Sequence, residues 1–240
     1  MTQRRLTEAE QEFSAKRSEV LSKVDAKYVA SAPFVFADRI TVTTALSRME
    51  LFKKVLDIPG AIIECGVYKG NSLMLYMHLS MILEPYAINR SIIGFDTFSG
   101  FTGIDAQHDP SDINTRMFAD TDMSLIESMI EANNLVRPVN RIPRCELIKG
   151  DIVNTAPEFV KTRPDLVVAM LILDTDLYAS TKVALETFLP YMPKGAVVVL
   201  DEVAYRNFPG ETTALREVLN LNTIELKRLP FDSCTGYFHV

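Results

Sequence analysis

Short apolar runs alternate with helix-like stretches from residue 61 onwards, and this rhythm predicts an α/β protein. Five apolar runs of strand length follow one another at residues 61–66, 91–96, 145–149, 166–173 and 195–200. Stretches of helical periodicity lie between them, which is typical of a mostly parallel sheet with helical crossovers. Two further strands, Thr223–Leu229 and Cys234–Val240, are expected to close the sheet as a C-terminal antiparallel hairpin. The pattern therefore predicts seven strands in a single structural domain.

The first 57 residues precede this rhythm and are helix-prone. One helix is expected from Leu6 to about Tyr28 and another from about Thr43 to Leu56, each with a thin apolar stripe. Because these helices lack a core of their own, we expect residues 1–57 to pack on residues 58–240. They would form either a helical cap over a site or the surface of a homodimer or higher homo-oligomer, and the sequence does not choose between these.

Acidic residues follow two of the buried strands at the point where each strand ends. Asp174 and Asp176 come after the run at 166–173, and Asp201 and Glu202 after the run at 195–200. Ligands of open α/β sheets bind beyond the carboxyl ends of the strands, and carboxylate oxygens are ligands for hard divalent cations. Four carboxylates without a Lys or Arg nearby in the sequence would repel one another unless a cation were present. A pair of surface acids, with Asp176 capping the next helix, is the alternative.

Three other strand ends carry residues suited to a nucleoside. The turn at 64–72, ECGVYKGNS, has Gly66 for a sharp bend and Gly70 for close approach to a helix N-terminus, although such a turn also occurs without a ligand. Asp96 can accept two hydrogen bonds from a ribose diol. Gly150 and Asp151 can meet an adenine edge, with a helix cap as the alternative for Asp151.

Two connecting segments near these strand ends remain open in function. The polar connection at 97–121 is interpreted as a mobile lid, with an ordinary surface loop as the alternative. His108, within it, is the histidine that could swing over the site. Tyr205, Phe208 and residues 209–213 either line an acceptor pocket or form a loop into a capped helix.

Composition excludes several classes of protein. A net charge of −6 and a pI near 5.2 argue against a nucleic-acid partner. The absence of a long apolar run or a signal-like N-terminus predicts a cytoplasmic protein without a membrane partner. Three widely spaced cysteines, without a CxxC pair, favour neither a disulfide framework nor a thiolate zinc site.

Four motifs, in the same order along the chain, resemble the macrocin O-methyltransferase (TylF) family. They are the ECGVYKGNS turn, the FDTFSGF segment at 95–101, the LDTDLYAST block at 173–181 and the GAVVVLDE strand at 195–202. The resemblance covers roughly residues 45 to 225. It implies a Rossmann-like class I fold and an enzyme that uses S-adenosylmethionine and Mg²⁺ to methylate hydroxyl groups of sugars or other polyoxygenated small molecules in natural-product biosynthesis.

The resemblance also implies roles for individual residues. Asp174, Asp201 and Glu202 would hold the metal, and Asp176 would be the general base. The residues expected to bind the cofactor are Glu64, Gly66, Tyr68, Asn71, Ser72, Asp96, Ser99, Gly150, Asp151 and Asp174. The alternatives are a metal-independent N-methyltransferase and a catalytically silent protein that binds S-adenosylmethionine. A nicotinamide-dependent oxidoreductase would require a GxGxxG turn, which the sequence lacks.

Overall fold

The computed structural model of the chain describes residues 7–232 and 234–240, and the chain divides into two compact units between residues 46 and 47. The first unit is helical. It contains α1 (Glu8–Leu21), α2 (Ala26–Ser31) and α3 (Pro33–Phe36), and the boundary falls within α4 (Arg39–Lys53). The domain division expected at residues 57 and 58 stays a prediction.

The single helix predicted from Leu6 to Tyr28 is two helices in the structure, and Leu6 itself lies outside the described residues. Thr7 starts α1 with a reciprocal capping box, in which its hydroxyl accepts from the N–H of Glu10 and the Glu10 carboxylate accepts from the N–H of Thr7. Asp25 starts α2, because its carboxylate accepts a hydrogen bond of 2.8 Å from the N–H of Tyr28. An internal cap of this kind interrupts a helix that composition alone favours.

The second unit, residues 47–240, alternates strands and helices as the sequence predicts. Its elements are β1 (Ala61–Cys65), α5 (Asn71–Leu83), β2 (Ile92–Asp96), α6 (Met123–Leu135), β3 (Cys145–Lys149), α7 (Ile152–Lys161), β4 (Val168–Leu173), α8 (Tyr178–Phe188), β5 (Val197–Leu200), α9 (Gly210–Val218), β6 (Lys227–Arg228) and β7 (Gly236–His239). Short 3₁₀ turns at Leu189–Tyr191 and Leu221–Thr223 follow α8 and α9.

The seven strands form one sheet in the order β3-β2-β1-β4-β5-β7-β6. The first five pair in parallel, whereas β7 runs antiparallel to both β5 and β6. The predicted mostly parallel sheet with a C-terminal antiparallel hairpin is therefore confirmed. Strand β6 is shorter than the predicted Thr223–Leu229, because the turn at Leu221–Thr223, capped by Asn220, takes the start of that segment.

The central strands are buried on both faces, as their unbroken apolar runs require. One face contributes Ile63, Leu171 and Val198 to a core that includes residues of α7, α8 and α9, whereas the other contributes Ile62 and Met170 to a core with α4 and α5. Glu64 alternates onto the same face as Ile62. No helix among the residues that the structure describes is long and apolar enough to cross a membrane.

The carboxyl ends of the parallel strands lie at one edge of the sheet. Cys65 is in register with Leu173, and Leu173 with Leu200, so β1, β4 and β5 end side by side. The strand order reverses between β1 and β4, because β2 and β3 lie on one side of β1 and β4 on the other. Such a reversal opens a crevice at the carboxyl edge, where open α/β sheets bind ligands.

Replacement of Leu171 by Ala should destabilise the second unit. Leu171 is fully buried in β4, so the substitution removes three carbon atoms' packing and leaves a cavity, at a cost of about 2 to 5 kcal/mol in the free energy of unfolding. Urea unfolding followed by circular dichroism measures this cost. Leu135→Ala, at an exposed position on α6, is the matched control and should change the free energy by less than about 0.5 kcal/mol. Equal effects of the two substitutions would contradict the burial of β4.

Candidate active site

The turn after β1 contacts the segment after β4 directly. Gly66 has a φ of +92°, and a Cβ atom there would lie 1.9 Å from the carbonyl oxygen of Asp174. The N–H of Asp174 in turn donates a 2.9 Å hydrogen bond to the carbonyl of Cys65. Only glycine allows both the bend and this approach. The predicted cofactor turn and the first predicted metal ligand are therefore neighbours.

Asp96 organises the same turn. Its Oδ2 accepts hydrogen bonds of 2.8 Å from the N–H groups of Val67 and Tyr68, and its Oδ1 accepts one of 2.6 Å from Phe98. A carboxylate offers about four acceptor positions, so roughly one remains for a ligand. Asp96 would then accept hydrogen bonds from both the backbone of the turn and a hydroxyl group of the predicted ribose diol.

Glu64 is buried beside this turn, and neither of its carboxylate oxygens has a hydrogen-bond partner among the described residues. Burial raises the pKa of Glu64 to about 8; nearby Arg48 opposes the shift, and Asp201 and Asp96 add to it. Buried carboxylate oxygens nearly always have donors. The two oxygens of Glu64 thus suit a ligand that brings N–H or O–H groups.

The remaining predicted cofactor residues lie along the same edge of the sheet but make different contacts. Asn71 and Ser72 form the first turn of α5. The Tyr68 hydroxyl donates to Asp120 at 2.8 Å, and Ser99 is exposed. Gly150 donates its N–H to the carbonyl of Asp96 at 2.9 Å.

Asp151 caps α7, because its Oδ1 accepts a 3.0 Å hydrogen bond from the N–H of Val153. The helix cap that the sequence left open for Asp151 is thus present in the structure. Because of this cap, α7 begins at Ile152.

The four acids predicted to surround a cation follow β4 and β5 where these strands end together. The N–H of Asp201 donates to the carbonyl of Leu173 at 3.0 Å, which fixes the two ends side by side. Burial, followed by the charge of Asp201, raises the pKa of Asp176 to about 6. Burial, followed by the charge of Asp176, raises the pKa of Glu202 to about 9. The pKa of Asp174 is also raised, through burial and then Asp201.

Arg48 supplies a positive charge that the sequence argument did not foresee. Its side chain is only 3% exposed, and its Nη2 lies 2.9 Å from Oδ1 of Asp201 and 3.6 Å from Oδ2 of Asp174. Its Nε lies 3.5 Å from the hydroxyl of Ser72. Repulsion among these acids is therefore relieved in part without a metal ion, by a base that lies in α4, 153 positions before Asp201 in the sequence.

The donor set suits a divalent cation in its chemistry, although the acids are not assembled around one point. Oε2 of Glu202 is buried without a hydrogen-bond partner, and the pKa of Glu202 is raised first by burial and then by neighbouring acids, whose repulsion a cation would relieve. Within residues 7–232 and 234–240, however, no three His, Cys, Asp or Glu side chains are grouped as metal ligands. Asp201 faces Arg48 and the hydroxyl of Thr235, at 3.2 Å, instead.

Glu211 is a residue of this site that sequence reasoning missed. It lies in the first turn of α9, is fully buried, and accepts hydrogen bonds from the backbone N–H groups of Thr175, Asp176 and Glu202. Burial raises its pKa to about 8, and Asp176 and Asp201 add to the shift. In the sequence it belongs to the segment at 209–213, and no local pattern there marks it as a partner of the acids.

The long connection after β2 is anchored against the acid block. Asp109 is buried, with Oδ1 accepting a 2.8 Å hydrogen bond from the N–H of Tyr178. Ile113 packs against Leu177 and Phe208. Phe208, which the sequence offered as a possible pocket wall, is thus a core residue of this small cluster. The interpretation of the connection as a lid stays a prediction.

His108 stacks on the ring of Tyr178, with ring centroids 4.1 Å apart, and its Nδ1 lies 3.0 Å from Oδ1 of Asp105. Its ring is therefore held by two partners, one within the connection and one at the start of α8.

The strand order and the glycine turn define a Rossmann-like class I methyltransferase fold. The chain belongs to the macrocin O-methyltransferase (TylF) family, whose sequence profile matches residues 39–239. It is accordingly an S-adenosylmethionine-dependent O-methyltransferase. This confirms the predicted family and enzyme class, and leaves the oxidoreductase and N-methyltransferase alternatives without support.

Solved structures agree with this assignment. The crystal structure of CalS11, a calicheamicin methyltransferase, has 31% sequence identity and a TM-score of 0.90, and the match covers 98% of this chain and 93% of that chain. The apo structure of CalS11 is described as a TDP-rhamnose 3'-O-methyltransferase of calicheamicin biosynthesis. It has 29% sequence identity and a TM-score of 0.83, and the match covers 98% of this chain and 95% of that chain. The O-methyltransferase NovP shares the fold, at 18% identity and a TM-score of 0.60 over 82% of this chain and 79% of its own. A comparison with curated proteins finds no match.

The raised pKa of Glu64 predicts a pH-dependent stability. Its pKa is about 8 in the folded protein against an ordinary 4.5. Between these values the folded protein retains a proton that the unfolded chain releases, so this group's contribution to stability is lost as the pH rises. Glu64→Gln cannot ionise. Relative to the unsubstituted protein, this variant should gain on the order of 1 to 4 kcal/mol in unfolding free energy from pH 5 to pH 8.

Urea unfolding at four pH values in the presence of a chelator measures this difference. Glu131→Gln, at an exposed position of α6, serves as the control, and its difference from the unsubstituted protein should stay flat. A flat difference for Glu64→Gln as well would show that Glu64 is not buried as a neutral acid.

Proposed function

We propose that this enzyme transfers the methyl group of S-adenosylmethionine to a hydroxyl group of a sugar or another polyoxygenated small molecule, with the assistance of Mg²⁺. One observation carries the proposal: the acids that follow β4 and β5 lie at adjacent strand ends, beside the glycine turn of β1. A donor site and a cluster of proton acceptors therefore share one edge of the sheet. Transfer to a hydroxyl group needs both, because the oxygen must lose a proton as it gains a carbon.

Asp176 is the proposed general base. A hydroxyl group is far too weak an acid to ionise at neutral pH, so a neighbouring carboxylate must accept its proton as the new C–O bond forms. With its pKa raised to about 6 by burial and by Asp201, Asp176 is a stronger base than an ordinary aspartate and is still largely ionised near neutral pH. Its left-handed backbone, with φ of +61°, is a strained conformation of the kind that clusters at functional sites.

The residues of the glycine turn would hold S-adenosylmethionine. The partnerless oxygens of Glu64 suit its ammonium group, and the free N–H groups at the start of α5 suit its carboxylate. The remaining acceptor position of Asp96 suits a ribose hydroxyl. When bound, the cofactor supplies an electrophilic methyl group whose bond to sulfur breaks as the bond to oxygen forms.

Asp174, Asp201 and Glu202 would hold Mg²⁺. The buried, partnerless Oε2 of Glu202 and the repulsion among these acids support this assignment. Binding would require Asp201 to share its carboxylate between the ion and Arg48, with which it pairs in this structure. When bound, the ion supplies Lewis acidity that orients two neighbouring oxygens of the acceptor and lowers the pKa of the reacting hydroxyl.

The proposed acceptor class follows from that chelation, because two neighbouring oxygens are the minimum it needs. It is also in keeping with CalS11, described as a TDP-rhamnose 3'-O-methyltransferase, which is 29 to 31% identical over 98% of this chain. A screen of nucleotide sugars and glycosylated natural products with a labelled methyl donor tests the class of acceptor directly. Labelling of nitrogen acceptors alone would contradict it.

Replacement of the proposed base should slow the reaction without preventing cofactor binding. Asp176→Asn keeps the side-chain shape, and asparagine tolerates a positive φ, but the amide cannot accept the proton. We expect kcat to fall by about 10²- to 10⁴-fold, with the dissociation constant of S-adenosylmethionine unchanged within about 3-fold. Calorimetric titration and steady-state kinetics measure the two effects. Asp57→Asn, in an exposed turn, is the control, and an equally active Asp176→Asn enzyme would exclude Asp176 as the base.

Removal of divalent cations should abolish turnover. We expect EDTA to lower kcat by at least about 10²-fold and added MgCl₂ to restore it, because the ion both orients and acidifies the acceptor. MgCl₂ should also raise the thermal unfolding midpoint of the unsubstituted protein but not that of Asp201→Ala. EDTA already saturated with Mg²⁺ is the control for the chelator. Undiminished activity in excess EDTA would mean that the enzyme works without a metal.

A further inference from the structure

A single buried carboxylate joins the two strand ends that carry the acids. Oε1 of Glu211 accepts hydrogen bonds from the N–H groups of Thr175, at 3.2 Å, and Asp176, at 3.4 Å. Its Oε2 accepts one from the N–H of Glu202, at 3.2 Å. The first two groups follow β4 and the third follows β5. The side chain thus connects the segment of the proposed base to that of a proposed metal ligand.

The segment that Glu211 holds needs external support. Asp176 has a φ of +61°, a region in which a residue with a Cβ is unfavourable unless its surroundings fix it. Because Glu211 accepts from the N–H of Asp176 itself, it acts on the strained residue and not only on a neighbour.

The start of α9 is packed closely enough to transmit this constraint. A Cβ atom on Gly210 would lie 2.7 Å from both Oδ1 of Asp109 and the backbone nitrogen of Tyr178, and 3.1 Å from the carbonyl oxygen of Asp176. The glycine therefore brings the helix terminus into contact with the acid block, and Glu211 follows it in the first turn of α9.

We propose that Glu211 is a positioning residue, which holds the backbone of Asp176 and of Glu202 in the arrangement that the reaction requires. This proposal rests on the proposed function, in which Asp176 is the base and Glu202 a metal ligand. In this role Glu211 accepts no proton from the substrate and does not contact it. Its three hydrogen bonds fix the backbone from which the carboxylates of Asp176 and Glu202 extend.

Substitutions of Glu211 should therefore act on kcat and leave cofactor affinity in place. Glu211→Ala removes all three acceptors, and we expect kcat to fall about 100-fold, because small misplacements of a base have effects of this size. Glu211→Gln retains one carbonyl oxygen and should lose only about 10-fold. The dissociation constant of S-adenosylmethionine should stay within about 3-fold in both. Glu186→Gln, at an exposed position of α8, is the matched control and should show the full rate.

A double-mutant cycle separates positioning from a general structural role. Glu211→Ala introduced into the Asp176→Asn enzyme should lower kcat by about 10-fold or less, well below its effect alone, because the base it positions is already lost and only its hold on Glu202 remains. Multiplication of the two effects would overturn the proposal, as would a full rate in the single Glu211 variants. Should Glu211→Ala not fold, Glu211→Gln takes its place in the cycle.

Amide hydrogen exchange tests the same inference without turnover. Exchange at Thr175, Asp176 and Glu202 should become about 10-fold faster in Glu211→Ala and stay unchanged in the Glu186→Gln control. Unchanged exchange at these amides in Glu211→Ala would overturn the positioning role. An unsubstituted enzyme that methylates no hydroxyl acceptor would instead refute the proposed function, and the exchange measurement would still report on the contacts of Glu211.

Discussion

Acidic side chains lie together at the edge where β1, β4 and β5 end, and the combined cost of their burial and mutual repulsion is the constraint on which the site depends. Two unit charges 4 Å apart interact with about 4 kcal/mol near a protein surface, so six nearby carboxylates need relief. The structure provides three forms of it. Arg48 pairs with two of the acids, the raised pKa values keep others protonated near neutral pH, and backbone N–H groups bind Glu211. The acids concerned are Glu64, Asp174, Asp176, Asp201, Glu202 and Glu211.

These acids differ in whether their buried oxygens have hydrogen-bond partners, and the difference matches their proposed roles. The oxygens of Glu211 have backbone partners, as expected of a group that shapes the site. Both oxygens of Glu64 and one of Glu202 have none among the described residues, which is rare for buried atoms. They are the positions at which a bound ligand or ion would contribute most to stability, because it would remove the free-energy cost of burying a polar atom without a partner. Glu211 thus has a structural role in the site, whereas Glu64 and Glu202 are suited to bind a ligand or an ion.

Much of the sheet could be predicted from the sequence because parallel strands buried on both faces have few alternatives. The runs ending at Leu173 and Leu200, and the acids directly after them, are local patterns, and parallel pairing brings their ends together. The break at Asp25 was missed because a cap competes with a continuous helix through a single side-chain hydrogen bond.

Arg48 and Glu211 could not be predicted, for a different reason. Each reaches the acids from a helix far along the chain or beyond a loop, and no spacing rule relates them to Asp174 or Asp176. Asp109 belongs with them, because its partner Tyr178 is 69 positions away. Such contacts depend on tertiary packing. In the sequence alone, these residues are charged side chains without an identifiable partner.

The contact of Asp109 with the N–H of Tyr178 ties the long connection to the backbone of the acid block. That amide is two residues after Asp176, and Gly210 lies close to both the donor and the acceptor atom of this hydrogen bond. Withdrawal of the long connection would strip Tyr178 of this acceptor next to the strained peptide of Asp176. A change in the position of residues 97–121 would therefore reach the backbone beside the proposed base through one side-chain hydrogen bond.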